Sequence, residues 1–558
     1  MALTKVTHLK KLLALRERGK EWRSFSSKII YSKVSNVEVP KLSINDYVWK
    51  DLDKWSDKIA MECAETGRSY SYADVYKKSN KVANFLANFP GLSEGDVIAT
   101  MLPNVPEYAI IFLGAVQAGY KITSLNPVYT RDELLHCIGI SKPKLIFTLT
   151  DLWSHIYRVT ERSKVPIVVM NHTEEVMDIP AGAIKLSEVF ENTSPSQNRT
   201  RDWNDVIYLP YSSGTTGLFK CIELTNANIV SSVHHNTVPE FKMTAPTDAM
   251  NQDMYPAILP ISHISGTLPM FCNMSWGCKA ITFSKVTTQL FLKALQNTSF
   301  THCYLVPSLI QMLASQPCIK PEHLARMRSI QVGGAPLDVR HVQTLTEKLN
   351  GKMCIYQVYG LSEGTGGTHF QTPHIPGGVK IGSCGLSGPN TEFRIQNADG
   401  EMLGSNESGT IYLRGLQIFK GYLNDAEATQ STLDSEGWLN TGDVGHYDED
   451  GHLFVTSRLK ELIKVKGFQV APAEIEAILR SHPDVSDALV VGIPHQRFGE
   501  VPKAFIVTKS PSSVNLKNIE EFVASKVARH KHLLGGIVVT ENIPRTALGK
   551  LLRRKGTE

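Results

Sequence analysis

The feature that most limits the fold of this chain is an alternation of strand-like and helix-like segments between about residues 70 and 380. Short apolar runs alternate with longer amphipathic stretches, of which Tyr72–Asn88 and Thr130–Ile140 are clear examples. The apolar runs of strand length are Val97–Leu102, Leu145–Thr148, Pro166–Met170, Val206–Leu209 and Ala257–Leu259. This order is typical of parallel sheets covered by helices, and it predicts an α/β fold.

The pattern changes near residue 380, where short β-rich segments separated by glycine and Asn/Asp turns begin. Three of them are Glu392–Ile395, Gly409–Arg414 and His452–Thr456. They predict a β-subdomain at about residues 380–457, and the remainder of the chain returns to mixed α and β character. We therefore expect a large N-terminal domain, residues 26–457, followed by a small mobile α+β domain, residues 458–558.

Composition excludes several classes of protein. The net charge is only +5 over 558 residues, and no dense basic tract with interleaved aromatic residues occurs, so a nucleic acid is not an expected partner. The nine cysteines are scattered without a CxxC pair, which indicates neither a disulfide framework nor a thiolate zinc site. The most apolar stretch, Tyr108–Tyr120, is shorter than the ~18 residues of a membrane span and predicts a buried helix. The oligomeric state stays open.

The first 25 residues differ from the rest because they are basic and carry leucines at roughly helical spacing. The basic residues are Lys5, Lys10, Lys11, Arg16, Arg18, Lys20 and Arg23. This pattern predicts a mitochondrial presequence and a matrix location, with cleavage after Phe25. The alternative is an exposed basic helix on a cytoplasmic protein. The terminal residues Gly556–Glu558 do not form the Ser-Lys-Leu peroxisomal signal.

A glycine- and hydroxyl-rich loop follows the predicted strand Val206–Leu209. The loop contains Ser212, Ser213, Gly214, Thr215, Thr216 and Gly217, and Lys220 follows it. Glycines let the backbone approach a ligand closely, and consecutive amides with hydroxyls and a lysine suit a polyphosphate. The spacing is not that of a Walker loop, since no Ser or Thr follows the lysine. The alternative interpretation is a flexible surface loop.

This loop resembles the signature of the adenylate-forming superfamily, which includes acyl-CoA synthetases, coumarate:CoA ligases, beetle luciferases and peptide-synthetase adenylation domains. Further segments between residues 259 and 550 resemble other motifs of that family, in family order. The resemblance implies an enzyme that uses ATP, Mg²⁺ and coenzyme A. It would convert a carboxylic acid into an acyl-adenylate and then into a thioester, releasing pyrophosphate and AMP.

The resemblance also implies roles for individual residues of the large domain. His263, within Leu259–Gly266, would line the carboxylate pocket as a catalytic residue. Tyr359 would stack on adenine, Asp443 would accept the ribose hydroxyls, and Glu363 would coordinate Mg²⁺. The nucleotide contacts predicted beyond the loop are Gly334, Ala335, Pro336, Gln357, Val358, Tyr359, Gly360, Ser362, Asp443, Arg458 and Lys460.

The last hundred residues resemble the family's mobile domain. Lys550, in a loop that ends Leu548-Gly549-Lys550, would be the catalytic lysine of adenylation. Lys464 would be a second catalytic lysine, on a strand rather than a helix face, because it alternates with a β-branched residue. Ser457 would be the hinge for rotation of this domain. The coenzyme A contacts implied by the resemblance are Lys285, Lys466 and Gly467.

Four residues depart from the family's pattern. Phe219 and Cys221 flank Lys220 where the family has proline and glycine, and Ser457 stands at a hinge position that is usually aspartate. Val358 replaces a glycine beside the acyl pocket, which favours a shorter or differently shaped acid. None of these changes removes a charged catalytic group, so we expect an active enzyme.

The alternatives are a luciferase-like monooxygenase, an amino-acid adenylation module and a nucleotide-binding paralogue with weak or no ligase activity. The first uses the same adenylate, and the second usually requires a carrier domain, which does not follow Lys550. The expected substrate is a medium-chain aliphatic or an aromatic carboxylic acid.

We predict that Lys550→Ala lowers the rate of acyl-adenylate formation by about 100-fold or more, because a cation between two negatively charged reactants contributes several kcal/mol in a dry site. The measurement is pyrophosphate release with ATP and an accepted acid. A variant that forms acyl-CoA as fast as the wild type would contradict the ligase assignment.

Overall fold

The computed structural model describes residues 28–173, 178–193, 201–212, 219–351, 355–466, 468–509, 514–545 and 551–553, except the side chain of Gln469. The predicted presequence, residues 213–217 of the hydroxyl loop, Gly467 and Lys550 lie outside the described residues. The roles predicted for these residues, and the mitochondrial location, stay predictions.

The described part of the chain contains strands that belong to five sheets. The strands are β1 (Ile30–Tyr31), β2 (Ile59–Cys63), β3 (Ser69–Ser71), β4 (Val97–Met101), β5 (Lys121–Ser124), β6 (Leu145–Leu149), β7 (Ile167–Met170), β8 (Ile184–Lys185), β9 (Val206–Leu209), β10 (Tyr211–Ser212), β11 (Lys220–Thr225), β12 (Met254–Ala257), β13 (Lys279–Thr282), β14 (His302–Leu305), β15 (Ser329–Gly333), β16 (Ile355–Leu361), β17 (Gly366–Phe370), β18 (Leu386–Ser387), β19 (Glu392–Gln396), β20 (Gly409–Arg414), β21 (Gly421–Tyr422), β22 (Leu439–Tyr447), β23 (Leu453–Arg458), β24 (Ile463–Val465), β25 (Phe468–Val470), β26 (Val485–His495), β27 (Gly499–Thr508) and β28 (Ile537–Val539).

Helices connect and cover these strands. The α-helices are α1 (Ile44–Trp49), α2 (Leu52–Trp55), α3 (Tyr72–Ala87), α4 (Glu107–Gln117), α5 (Arg131–Ser141), α6 (Trp153–Thr160), α7 (Leu186–Glu191), α8 (Asn226–His235), α9 (Ile264–Met274), α10 (Thr288–Asn297), α11 (Pro307–Ser315), α12 (Val339–Lys348), α13 (Ala426–Thr432), α14 (Pro472–Arg480) and α15 (Leu516–Ala524). Short 3-10 turns also occur, and one of them, Glu161–Ser163, directly follows α6.

Three sheets build the α/β part of the molecule. The largest has the order β10-β11-β9-β5-β4-β6-β7-β8, is parallel from β9 to β8, and adds β21 beside β11. A second sheet has the order β12-β13-β2-β3, and a third has the order β14-β15-β16-β17-β18. The pairs β12-β13, β13-β2, β14-β15 and β15-β16 are parallel. Together with the C-terminal domain, these sheets confirm the predicted fold class.

An antiparallel sheet of order β1-β19-β20-β22-β23 occupies most of the predicted β-rich region. Its edge strand β1 comes from Ile30–Tyr31, far away in sequence, and pairs with β19. Strand β21 lies within the same stretch of sequence but joins the largest sheet instead. The chain therefore leaves the antiparallel sheet after β20 to form β21 and returns to it with β22, and residues of both sheets line the cavity described below.

The apolar run Ala257–Leu259 was predicted as a strand, and this prediction is wrong in its position. The strand is Met254–Ala257, and the chain leaves the sheet at Ile258. The reason is the buried side chain of Asn104, whose amide donates to the carbonyls of Ala257 and Leu259 at 2.7 and 2.8 Å. Because this side chain supplies the hydrogen bonds that a neighbouring strand would otherwise supply, the segment can turn toward α9.

Helix α4 is the predicted buried helix. Every residue from Glu107 to Val116 is buried, including Glu107, whose carboxylate accepts from Arg68 Nε at 2.6 Å and from the Tyr70 hydroxyl at 2.8 Å. The charge of this carboxylate is therefore compensated inside the core. Across the described ranges, no helix combines the length and the apolarity that a membrane crossing requires.

The residues after 461 form a separate core around the sheet β25-β24-β27-β26, with β28 beside β27. Arg553 ties the end of the chain to this core. Its guanidinium contacts the carboxylates of Glu461 and Glu476 and donates to the carbonyl of Val490 at 2.9 Å. The side chain of Glu476 is only 1% exposed, and Arg553 is the nearer of its two countercharges, since Arg480 Nη2 lies 4.0 Å from Oε2.

We predict that Arg553→Ala destabilises the C-terminal domain by about 3 kcal/mol, because it removes the nearer cation from the buried carboxylate of Glu476 and leaves only the longer contact with Arg480. Hydrogen–deuterium exchange of the β26 and β27 amides measures the effect. The matched control is Lys531→Ala, which breaks a more exposed pair with Glu474 and should cost ~1 kcal/mol or less. Equal exchange in the two variants would refute the prediction.

Candidate active site

A cavity of about 840 Å³ lies where the β-subdomain, the third sheet and helix α9 meet. The segment after β23 closes one side of it, through Arg458, Leu459 and Lys460. One end of the cavity is polar and charged, and the other is bounded by apolar side chains. The residues that line the apolar end are Leu259, Leu268, Pro269, Cys272, Tyr304, Leu305, Val306, Val358 and Phe370.

Asp443 is the centre of a buried polar cluster beside this cavity. Its carboxylate accepts a hydrogen bond from the Tyr359 hydroxyl at 2.8 Å and pairs with Arg458 Nε at 3.1 Å. Arg458 faces it because the two residues are register partners on the antiparallel strands β22 and β23. Burial and the neighbouring carboxylate raise the pKa of Tyr359, so the phenol remains a neutral donor. The cluster joins three strands from two sheets around one carboxylate.

Glu363 forms a second polar cluster at the charged end. Its Oε1 accepts from the Ser212 hydroxyl at 3.0 Å and from the Tyr422 hydroxyl at 2.9 Å. Lys220 Nζ lies 4.8 Å from the centre of the Tyr422 ring, within the range of a cation–π contact. Within the described residues, no hydrogen bond occupies Oε2 of Glu363. A carboxylate and hydroxyl oxygens are the ligands that Mg²⁺ prefers, so this donor set fits the predicted metal.

The unusual neighbours of Lys220 have defined positions. The Phe219 ring packs on Tyr129 with ring centres 4.6 Å apart, and its carbonyl accepts from Nε2 of His136 at 2.8 Å. Cys221 is buried, and burial raises the pKa of its thiol. Side chains alternate in direction along a strand, so Lys220 points to the opposite side from Phe219 and Cys221. It lines the cavity.

His263 precedes helix α9 and caps its first turn. Its Nδ1 accepts from the backbone amide of Ser265 at 3.2 Å, so a neutral ring carries its proton on Nε2. That nitrogen lies 3.4 Å from the Ser362 hydroxyl, and both residues line the cavity. The arrangement presents an N–H and a hydroxyl near one point, which suits an anionic oxygen.

Close backbone approach explains two glycines of the site. A Cβ on Gly360 would lie 2.0 Å from the carbonyl oxygen of Gly366, and a Cβ on Gly266 would lie 2.4 Å from that of Pro260. Neither backbone oxygen can move without breaking the surrounding structure, so any larger residue at these positions distorts the wall of the cavity.

Val358 lies on β16 opposite Phe370 on β17 and lines the cavity. It also packs on a small cluster that contains Val238 and Phe241. A Cβ on Gly367 would come within 3.0 Å of Val358 Cγ1. The valine therefore occupies space at the apolar end of the cavity, and the cluster of Val238 and Phe241 packs against it.

Of the thirteen predicted nucleotide residues that the structure describes, eight line the cavity. Those that line the cavity are Ser212, Lys220, Gly334, Val358, Gly360, Ser362, Arg458 and Lys460, together with His263 and Glu363. The lining does not include Ala335, Pro336, Gln357, Tyr359 or Asp443. Tyr359 is 8% exposed and packs against His369, so its stacking on adenine stays a prediction.

Other predicted residues lie elsewhere on the described surface. Lys464 is exposed between buried Ile463 and Val465 on β24, which is the expected strand alternation. Lys466 is exposed with Nζ 4.2 Å from the Phe498 ring centre, and Lys285 is exposed beyond β13; none of these lysines lines the cavity.

The predicted hinge residue lies at the end of a sheet. Ser457 is the penultimate residue of β23, where it pairs with Val444 of β22. A 3-10 turn, Leu459–Glu461, then leads directly into the C-terminal sheet. The two sheets are thus joined by a very short connection that begins at Arg458.

Two residues of the site were not predicted from the sequence. Tyr422 contacts both Lys220 and Glu363, and Tyr304 lines the apolar end. Tyr422 follows Gly421 in a segment too short to suggest a strand, and Tyr304 lies in an ordinary apolar run. Only the pairing of β21 with β11 and the position of β14 reveal them.

Comparison with known proteins supports the interpretation of this geometry. The AMP-binding enzyme family matches residues 48–423, and the AMP-binding enzyme C-terminal domain matches residues 474–550. The chain belongs to the AMP-binding enzyme family. Within the adenylate-forming superfamily it falls in the acyl-CoA synthetase branch, and its class is that of the AMP-forming acid–CoA ligases.

Members of this family resemble the chain over nearly its whole length. The chain is 34% identical to 4-coumarate–CoA ligase 1 of Arabidopsis thaliana, over 95% of each chain. It is 33% identical to probable 4-coumarate–CoA ligase 1 of Dictyostelium discoideum, over 94% of this chain and 96% of the other. ATP-bound MatB from Rhodopseudomonas palustris superposes with a TM-score of 0.82 at 25% identity, over 92% of this chain and 98% of that chain.

We predict that Asp443→Asn raises the KM for ATP by about 10- to 100-fold, because hydrogen bonds to a charged acceptor contribute about 1.5–3 kcal/mol. The variant should also discriminate less between ATP and its 2′,3′-dideoxy analogue, since the ribose hydroxyls lose the carboxylate. The matched control is Asp434→Asn, a half-exposed carboxylate outside the cavity lining. An unchanged KM and an unchanged preference for ATP would contradict the assignment.

Proposed function

We propose that this enzyme activates a carboxylic acid as its adenylate and transfers the acyl group to coenzyme A. The observation that carries the proposal is the cavity itself, whose lining combines Glu363, Arg458 of the Asp443 cluster and a set of apolar side chains. A nucleotide and an acyl chain can therefore lie end to end, with the carboxylate between His263 and Ser362.

The proposed reaction has two steps. A carboxylate oxygen attacks the α-phosphorus of ATP, and the bond to the β-phosphate oxygen breaks, so pyrophosphate leaves and the mixed anhydride forms. The coenzyme A thiolate then attacks the acyl carbon and AMP leaves with the electron pair of the C–O bond. The protein has little covalent work to do, since positioning and charge compensation lower both barriers.

Each group of site residues would hold one part of the reactants. Asp443 would hold the ribose, with Tyr359 and Arg458 keeping its carboxylate oriented. Lys220 would neutralise the outer phosphates, and Glu363 with Ser212 would hold Mg²⁺, which would supply further positive charge there. Nε2–H of His263 and the Ser362 hydroxyl would donate to the substrate carboxylate before the attack and to the acyl oxygen after it.

The C-terminal domain would provide the remaining lysines by rotating. Lys464 and Lys466 lie outside the cavity lining, and the turn into that domain follows directly after Ser457 and Arg458, the last two residues of β23. Rotation about this connection would exchange the loop of Lys550 for the loop of Lys466 between the two steps. A serine at the hinge is compatible with such motion, since it lacks the fixed φ of proline.

A directed chain of hydrogen bonds defines the apolar end. Burial lowers the pKa of His302 to about 4, so the ring is neutral, and its Nε2–H donates to Asn273 Oδ1 at 2.6 Å. Asn273 Nδ2 in turn donates to the Tyr304 hydroxyl at 3.1 Å. Among the described residues, the Tyr304 proton has no hydrogen-bond acceptor of its own.

The hydrogen bonds from His302 through Asn273 to Tyr304 favour one class of substrate. A buried phenol whose oxygen already accepts a hydrogen bond can act toward a ligand as a donor, and leaving that donor unused costs free energy. The substrate we propose is therefore an aromatic acid with an oxygen acceptor, such as a hydroxyl or methoxy group, at the end remote from its carboxylate. The 4-coumarate–CoA ligases among its relatives are named for an acid of this class. An unsubstituted medium-chain acid would leave the Tyr304 proton without an acceptor.

We predict that Tyr304→Phe lowers kcat/KM about 3- to 10-fold for hydroxy- or methoxycinnamic acids and leaves cinnamic acid nearly unchanged, because one neutral hydrogen bond is lost. Pyrophosphate release across these acids and a series of aliphatic acids measures the effect. Asn273→Leu, which no longer orients the phenol, should act in the same direction. Equal losses for substituted and unsubstituted acids would refute the role of Tyr304, and no release with any acid would refute the ligase proposal.

A further inference from the structure

A second cluster of possible ligands lies away from the cavity, where strands of two sheets end. Strand β2 ends at Cys63, its parallel neighbour β13 ends at Thr282, and β7 of the largest sheet ends shortly before His172. Residues that follow the carboxyl ends of parallel strands often bind ligands, because several loops converge there. Here the convergence brings together one thiol, one carboxylate and one imidazole.

The geometry of this cluster suits a metal ion. Single ligand atoms of Cys63, Glu65 and His172 all lie within 4.8 Å of one another. Zn²⁺ bonded to sulfur, nitrogen and oxygen at 2.0–2.3 Å places its ligands roughly 3.3–3.8 Å apart, so a small closure would complete the site. Cys63 Sγ already lies 3.2 Å from Glu65 Oε2.

An independent observation points to a missing partner at the same place. Both ring nitrogens of His172 are shielded from solvent, yet neither has a hydrogen-bond partner among the described residues. The side-chain oxygen of the preceding residue, Asn171, is in the same condition. Buried polar groups without partners are rare in native proteins, and a bound ion is one of the few explanations.

The surroundings hold the ligands in place. Glu65 Oε1 accepts from the Ser284 hydroxyl at 2.9 Å and from the Lys285 amide at 3.2 Å, which leaves Oε2 toward Cys63. The carbonyl of His172 accepts from Arg68 Nη1 at 2.8 Å. Such outer contacts orient ligands and increase the affinity of metal sites.

We propose that Cys63, Glu65 and His172 form a zinc site that is separate from the Mg²⁺ expected at Glu363. Zn²⁺ replaces the proton of the Cys63 thiol, which is released to solvent, and the ion takes sulfur, carboxylate and imidazole ligands. Two negative ligands balance its charge. Three protein ligands leave the fourth tetrahedral position for water. The cysteine spacing gave no indication of this site, because its ligands come from separate segments of the chain.

The test uses the untagged full-length protein without nucleotide. After chelation and desalting, the protein is titrated with Zn²⁺, and bound metal per chain is measured by atomic emission after a second desalting step. Co²⁺ serves as the spectroscopic probe, since a thiolate ligand produces a charge-transfer absorption that a carboxylate site such as Glu363 does not. We expect one Zn²⁺ per chain and this absorption with Co²⁺.

The variants separate the site from adventitious binding. Cys63→Ala should abolish the charge-transfer absorption, and His172→Ala and Glu65→Gln should each weaken Zn²⁺ binding by at least about tenfold. Cys303→Ala, which replaces another buried strand cysteine, should leave both readouts unchanged. His172 is only half-buried, so its variant should fold even if Cys63→Ala does not. Failure of the wild type to retain zinc, or retention of zinc by the His172 variant, would overturn the proposal.

Discussion

The arrangement of the active site depends on the contacts that the buried carboxylate of Asp443 makes with two other strands. It accepts from Tyr359 on β16 and pairs with Arg458 on β23, while its own strand β22 lies in the antiparallel sheet. One buried charge therefore fixes the relation between an α/β sheet, the β-subdomain and the start of the connection to the C-terminal domain. Removing water from such a group is costly, so the contacts that compensate it must form together.

Burial sets the protonation states on which the site's chemistry depends. The neutral His302 donates to Asn273, and the raised pKa of Tyr304 keeps its phenol protonated, as its proposed contact with the acid requires. At the charged end, Lys220 lies over the Tyr422 ring while the phenol of the same residue bonds Glu363. The Tyr422 side chain thus contacts both the Lys220 ammonium and the Glu363 carboxylate, at the place proposed for the phosphates and their metal.

Much of the fold and part of the site could be predicted from the sequence, because local patterns determine them. Alternation of apolar runs with amphipathic segments indicated the α/β fold, and the observed helix α3 and strand β9 agree with the predicted segments within a residue. Where a distant side chain replaces backbone pairing, as Asn104 does beside Ala257, the local pattern misplaced the strand. Family motifs indicated Asp443, Arg458 and Glu363 but not the contacts that orient them.

The sequence by itself determined the fold class, the family and most charged residues of the candidate active site, because short contiguous segments of sequence encode each of them. The tertiary structure decided which of those groups meet. Tyr422 reaches Glu363 only because β21 pairs with β11, and Tyr304 reaches the cavity only because β14 ends beside helix α9. The cluster of Cys63 and His172 depends on two sheets ending at one place. Contacts between residues distant in sequence are set by packing of the whole chain, and no local pattern encodes them.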